Sequence, residues 1–150
     1  MIASWPLKRY LYDRMRRKQR DLEPRIHQVR FAPTALNVDV VDQAKIEPAE
    51  PFMLFAVTGY AFDTATGLKV TPNALVTVRL GGTGGRSLSR DAMHWGNLVG
   101  EQTMPFYVGA PILLPGGSIL NTTLTLLTGP LTLNLGILFL GARVRRWTVL

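Results

Sequence analysis

The chain has no cysteine among its 150 residues. Disulfides, thiolate metal sites and thiol redox chemistry are therefore excluded. Charged residues are also scarce, since they make up 18% of the chain, against about 25% in an average soluble domain. A surface that is short of charge favours contact with other molecules, so the composition indicates a protein that binds partners.

Long apolar runs are missing as well. A spanning helix needs about 20 consecutive apolar residues, and the most apolar stretch, residues 112–144, is interrupted by Pro115, Gly116, Gly117, Gly129 and Pro130. Near the N-terminus, residues 5–7 are followed at once by Lys8 and Arg9, which leaves no apolar core for a secretory signal. The sequence predicts no membrane partner and synthesis in the cytoplasm.

Residues suited to catalysis are few and scattered. Ser89, Asp91 and His94 have the residue types of a hydrolase triad, but the members of a working triad converge from separate segments rather than from one short stretch. The chain has one other histidine, His27. A metal site with histidine ligands would need both histidines together with carboxylates from distant parts of the chain. We therefore predict no catalytic residue, no metal and no cofactor, and a protein that is not an enzyme.

Positive charge is concentrated at one end. Residues 1–30 hold nine of the 17 Lys and Arg but only three of the ten acidic residues. Ser4 and Pro6 fit the start of a short helix, and Leu7, Leu11 and Met15 then fall near one face of it. An isolated helix with so narrow an apolar stripe is marginal. The pattern predicts a basic N-terminal arm over residues 1–30 that becomes ordered against a partner.

The residues of the arm that we expect to bind this partner are of two kinds. Apolar side chains would provide the anchor, and basic side chains would attract an anionic surface. They are Trp5, Leu7, Arg9, Leu11, Arg14, Arg16, Arg17, Lys18 and Arg20. Arginine and tyrosine interleave here in a way that suits nucleic acid as well as an acidic protein groove, so both partners stay open.

The rest of the chain has the pattern of a β-protein. Residues 31–51 predict an extended connector or edge strand, and residues 52–150 a β-sandwich body. Phe52 to Phe62 is nearly all apolar, as in a central strand, whereas residues 87–100 resemble a long loop. The clearest pattern predicts a hairpin, whose two arms alternate over residues 119–127 and 131–140 and are joined by residues 128–130.

This succession of short strands and turns predicts an all-β fold, an antiparallel sandwich of jelly-roll type. The last strand places Leu135, Ile137 and Phe139 on one face, yet Leu138 and Leu140 on the opposite face are apolar too. If both faces are covered, a second subunit or the arm must supply one cover. Leu138 and Leu140 are therefore predicted to form an oligomer interface, and the chain a homo-oligomer, with a trimer favoured.

Residues 52–144 resemble small virion proteins of tailed bacteriophages. In those proteins a phrase of the type P-I-x-L-P-G-G-S introduces a Thr/Leu-alternating strand, and the closing strand ends in G-x-R-V. Here the phrases are residues 111–118, residues 119–127 and residues 139–144. The resemblance implies a jelly roll that decorates or cements a capsid, or an adaptor at the junction of head and tail.

Together these observations predict a non-enzymatic capsid decoration protein located in the virion. Its expected partners are the major capsid protein or other virion subunits. The alternatives are a head-to-tail adaptor or collar component, and, in another class, a nucleic-acid-binding module that uses the arm. A sugar-binding lectin is a further possibility because jelly rolls often host one, and Trp95 is its only candidate residue.

Overall fold

A computed structural model describes residues 22–81, 91–99 and 106–144. Eight strands and one short helix make up this part of the chain. In chain order they are β1 (Leu22–Phe31), β2 (Asp39–Lys45), β3 (Phe52–Asp63), β4 (Asn73–Gly81), β5 (Met93–His94), α1 (Trp95–Leu98), β6 (Phe106–Leu114), β7 (Ile119–Thr128) and β8 (Leu133–Val144).

The strands form two four-stranded antiparallel sheets. Sheet I has the order β1-β8-β3-β6, and sheet II has the order β2-β7-β4-β5. The pairs are nested, because β1 pairs with β8, β2 with β7, β3 with β6 and β4 with β5. This is the topology of an eight-stranded jelly roll, which confirms the predicted fold class.

The core lies between the two sheets and is filled by alternate residues of each strand. Its fully buried large side chains come from β1, β3, β6, β7 and β8 and from the segment after β2: Val29, Phe31, Ile46, Phe52, Leu54, Leu114, Leu120, Leu124, Leu126, Leu135, Ile137 and Phe139. The predicted inward faces of β7 and β8 are therefore confirmed at these positions.

The sandwich begins earlier than the sequence indicates. Strand β1 starts at Leu22, inside the predicted arm of residues 1–30, and β2 lies inside the predicted connector of residues 31–51. Pro24 does not end a helix but lies within β1, where it is tolerated because β1 is an edge strand. The predicted helix of the arm lies outside the described residues.

The two sheets are tied together at the β1 edge. The backbone N–H of Arg30 donates to Asp42 Oδ2 of β2 at 2.8 Å. Asp42 Oδ1 accepts a second bond from the N–H of Gln43. A carboxylate held against this edge occupies a backbone donor that another strand would otherwise pair with, so it guards β1 against edge-to-edge association.

The predicted hairpin of β7 and β8 is wrong in its pairing. Strand β7 belongs to sheet II and β8 to sheet I, so the two strands face each other across the core. Apolar alternation specifies which side of a strand is buried but not which strand lies beside it. The connection between them also differs from prediction at Leu131, which is 49% exposed rather than part of the inner face.

The segment predicted as a long loop contributes to the core. Residues 93–98 form β5 and α1, and Trp95 is 6% exposed. Trp95 packs closely on β3, since a Cβ placed on Gly59 would lie 3.0 Å from Trp95 Cζ2. Similarly, residues 111–114, which open the phrase P-I-x-L-P-G-G-S, continue β6.

One core position carries a polar group without a partner. Thr122 on the inner face of β7 is fully buried, and its Oγ1 makes no hydrogen bond among the described residues. Replacing Thr122 by valine removes this hydroxyl at nearly constant volume, so we expect Thr122→Val to raise the free energy of unfolding by about 1 kcal/mol. Urea unfolding measures it, with Thr123→Val on the outer face as control. A loss of stability in Thr122→Val alone would show that the hydroxyl is bonded.

Candidate interaction surface

The outer face of sheet I is apolar where most sandwich surfaces are polar. Because Ile137 and Phe139 point into the core, Leu138 and Leu140 point away from it, as predicted, and both are half-buried. Leu140 lies beside Ile26 of β1 and Ala56 of β3. Three adjacent strands therefore place apolar residues in one row across the sheet, in which Ile26 is exposed, Leu140 half-buried and Ala56 buried.

An open groove of about 500 Å³ lies at the β1 side of this row. The described residues that line it are Pro24, Arg25, Ile26, Leu140 and Gly141. Ile26 is 61% exposed. An isoleucine so exposed on a regular strand, next to a half-buried leucine, has the character of an interaction surface rather than of a solvated face. We call it the Ile26 groove.

Polar groups border the apolar row further along the sheet. The ring of Tyr60 lies over Gly136 of β8, and its hydroxyl oxygen accepts a hydrogen bond of 2.8 Å from Gln28 Nε2 of β1. Arg30 Nη2 in turn lies 3.5 Å from Gln28 Oε1. An apolar centre with a hydrogen-bonded rim is the composition typical of protein–protein interfaces.

A group of charged residues lies at the same end of sheet I, but on the side of β1 and β8 opposite Ile26 and Leu140. The Arg143 guanidinium contacts Glu50 through Nη1 at 2.7 Å and Glu23 through Nε at 2.6 Å. These bonds, to Glu50 first and to Glu23 second, raise the pKa of Arg143. Arg25 lies 3.9 Å from the same Glu50 carboxylate. The acids at this end are thus engaged by the sandwich itself, and Arg143 fastens β8 to β1 and to the loop before β3.

Both ends of the described chain meet beside the groove. Leu22 pairs with Val144 in the β1–β8 ladder. The backbone N–H of Val144 also donates to Pro51 O at 2.8 Å. The predicted arm therefore joins the sandwich within a few residues of Pro24, Arg25 and Ile26.

The predicted binding residues divide accordingly. Leu138 and Leu140 lie on the outer face of sheet I, and Leu140 lines the groove. The arm residues from Trp5 to Arg20 lie outside the described part of the chain. Sequence reasoning missed Ile26 because its neighbours Arg25, His27 and Gln28 conceal the alternation of β1. The signal available was the apolar residue at every second position from Leu22 to Ile26 once Pro24 is accepted in an edge strand.

The structure also places the candidate residue of the lectin site and one residue of the triad-like group. Trp95 lies in the core, which removes the candidate residue for a lectin site. The Nε2 of His94 lies 2.9 Å from Asn73 Oδ1, and Asn73 Nδ2 donates to Thr128 Oγ1. His94 is thus part of a chain of polar contacts that joins β5, β4 and β7. Ser89 lies outside the described residues.

His27 is half-buried beside the charged group at the end of sheet I, on the face of β1 opposite Ile26. Its ring meets Phe52 edge-on, with 4.6 Å between the ring centroids. Burial, together with the positive charge of Arg25, lowers the pKa of His27 below its usual 6.5, and Glu47 opposes the shift. The neutral imidazole is therefore the form that the folded protein favours.

We expect this histidine to make stability depend on pH. As pH falls through about 6.5, the unfolded chain takes up a proton that the folded chain resists, so stability falls until the lower pKa of folded His27 is passed. Thermal unfolding between pH 8 and pH 5 measures the effect, and His27→Gln should flatten the slope. His94→Gln is the matched control. An unchanged slope in His27→Gln would refute this assignment.

Within residues 22–81, 91–99 and 106–144, no three His, Asp or Glu side chains lie together as a metal site would require. The only helix of the described residues has four residues, too few to span a bilayer. A scan against models of protein families and a search of curated proteins both find no match to this chain.

Proposed function

We propose that the protein is a non-enzymatic structural component of a tailed-bacteriophage virion, a decoration or cement protein located on the capsid. In this proposal the part of the basic arm that precedes β1 binds the major capsid lattice. The sandwich associates with further copies of itself through Leu138 and Leu140.

The single observation that supports the proposal most is the apolar outer face of sheet I beside the point where the arm joins. A jelly roll is complete with two sheets, so its outer faces need no cover for folding. Here Ile26, Leu138 and Leu140 nevertheless remain on one outer face. Apolar surface of this kind suits repeated contacts between subunits, and weak contacts become strong when many copies act together on one lattice.

The nucleic-acid alternative receives less support. That hypothesis needs a sheet face next to the arm that continues its positive charge. The outer face next to the arm carries Ile26, Leu138 and Leu140, and the cations Arg25 and Arg143 at this end of sheet I contact Glu50. A protein partner therefore fits this surface better than a phosphate backbone.

Deletion of residues 1–20 should abolish attachment and leave the sandwich folded. The measurement is co-sedimentation of purified protein with phage particles that lack it, alongside circular dichroism of the free protein. Arg16→Ala/Arg17→Ala is the finer variant, because it removes basic side chains that would contact the lattice but keeps the apolar side chains of the arm. If the chain without residues 1–20 still sediments with particles, the arm is not the attachment site.

Filter binding over a salt series separates the two classes of partner. A nucleic-acid-binding arm that neutralises about six phosphates would lose roughly a thousandfold in affinity between about 50 and 200 mM salt. We expect no retention of DNA or RNA that shows this dependence. Tight binding at low salt with a steep decline would replace the capsid proposal by the nucleic-acid one.

A further inference from the structure

We propose that the Ile26 groove of each copy receives the apolar face of the arm of a second copy. The occupant is the segment with Trp5, Leu7 and Leu11, and the copies are linked by exchange of their arms. The inference rests on the proposed self-association, which it deepens by naming what covers the groove.

The groove and the arm are complementary in chemistry. The groove offers Ile26, Leu140 and Pro24 along an open volume of about 500 Å³. The arm has apolar residues at helical spacing but too few for an isolated helix. Each therefore lacks the apolar surface that the other provides, and joining them removes Ile26 from water.

The direction of the chain favours a second copy over the arm's own groove. Continuing β1 backwards from Leu22 leads off the end of sheet I, while the groove lies in the opposite direction, at Pro24 to Ile26. To reach its own groove the chain must reverse close to Leu22. Residues 16–21 have the sequence RRKQRD, in which Asp21 is the one residue that favours a turn. Repulsion among the four positive charges of this segment opposes a tight reversal.

The length of the segment permits the exchange. Leu22 lies eleven positions after Leu11, with ten residues between them, and an extended chain over this separation spans up to about 36–40 Å. Two packed sheets are about 10 Å apart, so an adjacent sandwich is well within reach. Exchange of an identical element between copies can form closed oligomers, and it needs no binding surface beyond the one that the element would occupy within its own chain. The basic residues from Arg14 to Arg20 then remain available for the capsid lattice.

Cysteine cross-linking tests this directly, because the chain has no cysteine of its own. One full-length chain carries Leu11→Cys with an affinity tag, and a second carries Ile26→Cys. After mixing and mild oxidation we expect a disulfide-linked heterodimer. Leu68→Cys is the matched control, since Leu68 is 66% exposed but lies at the other end of the sandwich. The yield with Ile26→Cys should exceed the control about tenfold or more, because docking raises the local concentration of the pair.

The outcomes that overturn the proposal are distinct. A double variant, Leu11→Cys/Ile26→Cys, that closes its disulfide within one dilute chain shows that the arm covers its own groove. Yields no higher than the Leu68→Cys control, for both Leu11→Cys and Leu7→Cys, show that the arm does not use the groove. Both experiments use the purified chain alone, so either result leaves attachment to particles to be judged separately by co-sedimentation.

Discussion

Removal of residues 1–30 should prevent the sandwich from folding, whereas removal of residues 1–20 should leave it intact. The first deletion takes nine of the ten residues of β1, including Val29, and leaves Phe31 at a chain end. Both side chains are buried in the core, at 0% and 2% exposure. It also removes Glu23, a partner of Arg143.

The expected loss exceeds what a domain of this size can absorb. Truncating one large buried side chain commonly costs about 2–5 kcal/mol, and native domains are stable by only about 5–15 kcal/mol. Losing Val29, displacing Phe31 and stripping the β1–β8 ladder together should therefore abolish cooperative unfolding. Circular dichroism and thermal melts measure the result. If residues 31–150 melt like the full chain, β1 is an attached strand and not part of the fold.

Gly116→Ala should destabilise the protein by about 3 kcal/mol, well above the effect of the same change at Gly117. A Cβ on Gly116 would lie 2.0 Å from Pro48 O, which is backbone and has little freedom to move. The turn is held there, because the N–H of Ile46 donates to Ser118 O at 2.9 Å and the N–H of Gly117 donates to Ile46 O at 3.1 Å. In the Gly116→Ala variant, the β6–β7 turn must therefore move away from the loop after β2, and these hydrogen bonds weaken.

Gly117 serves as the matched control for this contact. Its φ of +83° favours glycine, yet no heavy atom lies within 4 Å of a Cβ placed there. Gly117→Ala should thus lose only the conformational preference, about 1 kcal/mol. Urea unfolding of the two variants separates close approach from backbone strain. Equal losses at the two positions would mean that the contact with Pro48 is not maintained in solution.

The same contacts give a physical reason for the two sequence phrases on which the phage resemblance depends. In residues 115–118, Gly116 permits the approach to Pro48 and Gly117 supplies the positive φ. In residues 141–144, Gly141 lines the groove and Arg143 binds Glu23 and Glu50. Both phrases lie at the end of the sandwich where the chain enters and leaves. They are needed for the architecture of that end.

The sequence predicts the faces of the strands better than their partners. In β7 and β8, alternation correctly assigns Leu120, Leu124 and Phe139 to the core, because burial has a period of two. The pairing of these strands in one hairpin is wrong, because a jelly roll pairs strands that are distant in sequence, such as β1 and β8. Local patterns contain no information about such long-range pairs.

The first two strands and the groove could not be predicted from the sequence for a different reason. Strand β1 contains Pro24 and two arginines, which locally favour an irregular or solvated segment. It is a strand because Val29 and Phe31 complete the core and because its edge position tolerates proline. Ile26 gains significance only when β8 places Leu140 beside it. The outward position of Leu138 and Leu140, in contrast, follows from alternation alone.

The most direct test of the proposed function is an electron cryomicroscopy reconstruction of phage particles purified from cells that produce this protein. We predict jelly-roll density repeated over the capsid surface, in copy numbers on the order of hundreds, with a link from each β1 to the Ile26 groove of a neighbour. A ring of a dozen or fewer copies at the junction of head and tail would favour the adaptor alternative. Particles from these producing cells with no density for the chain at any position would contradict a structural role in the virion.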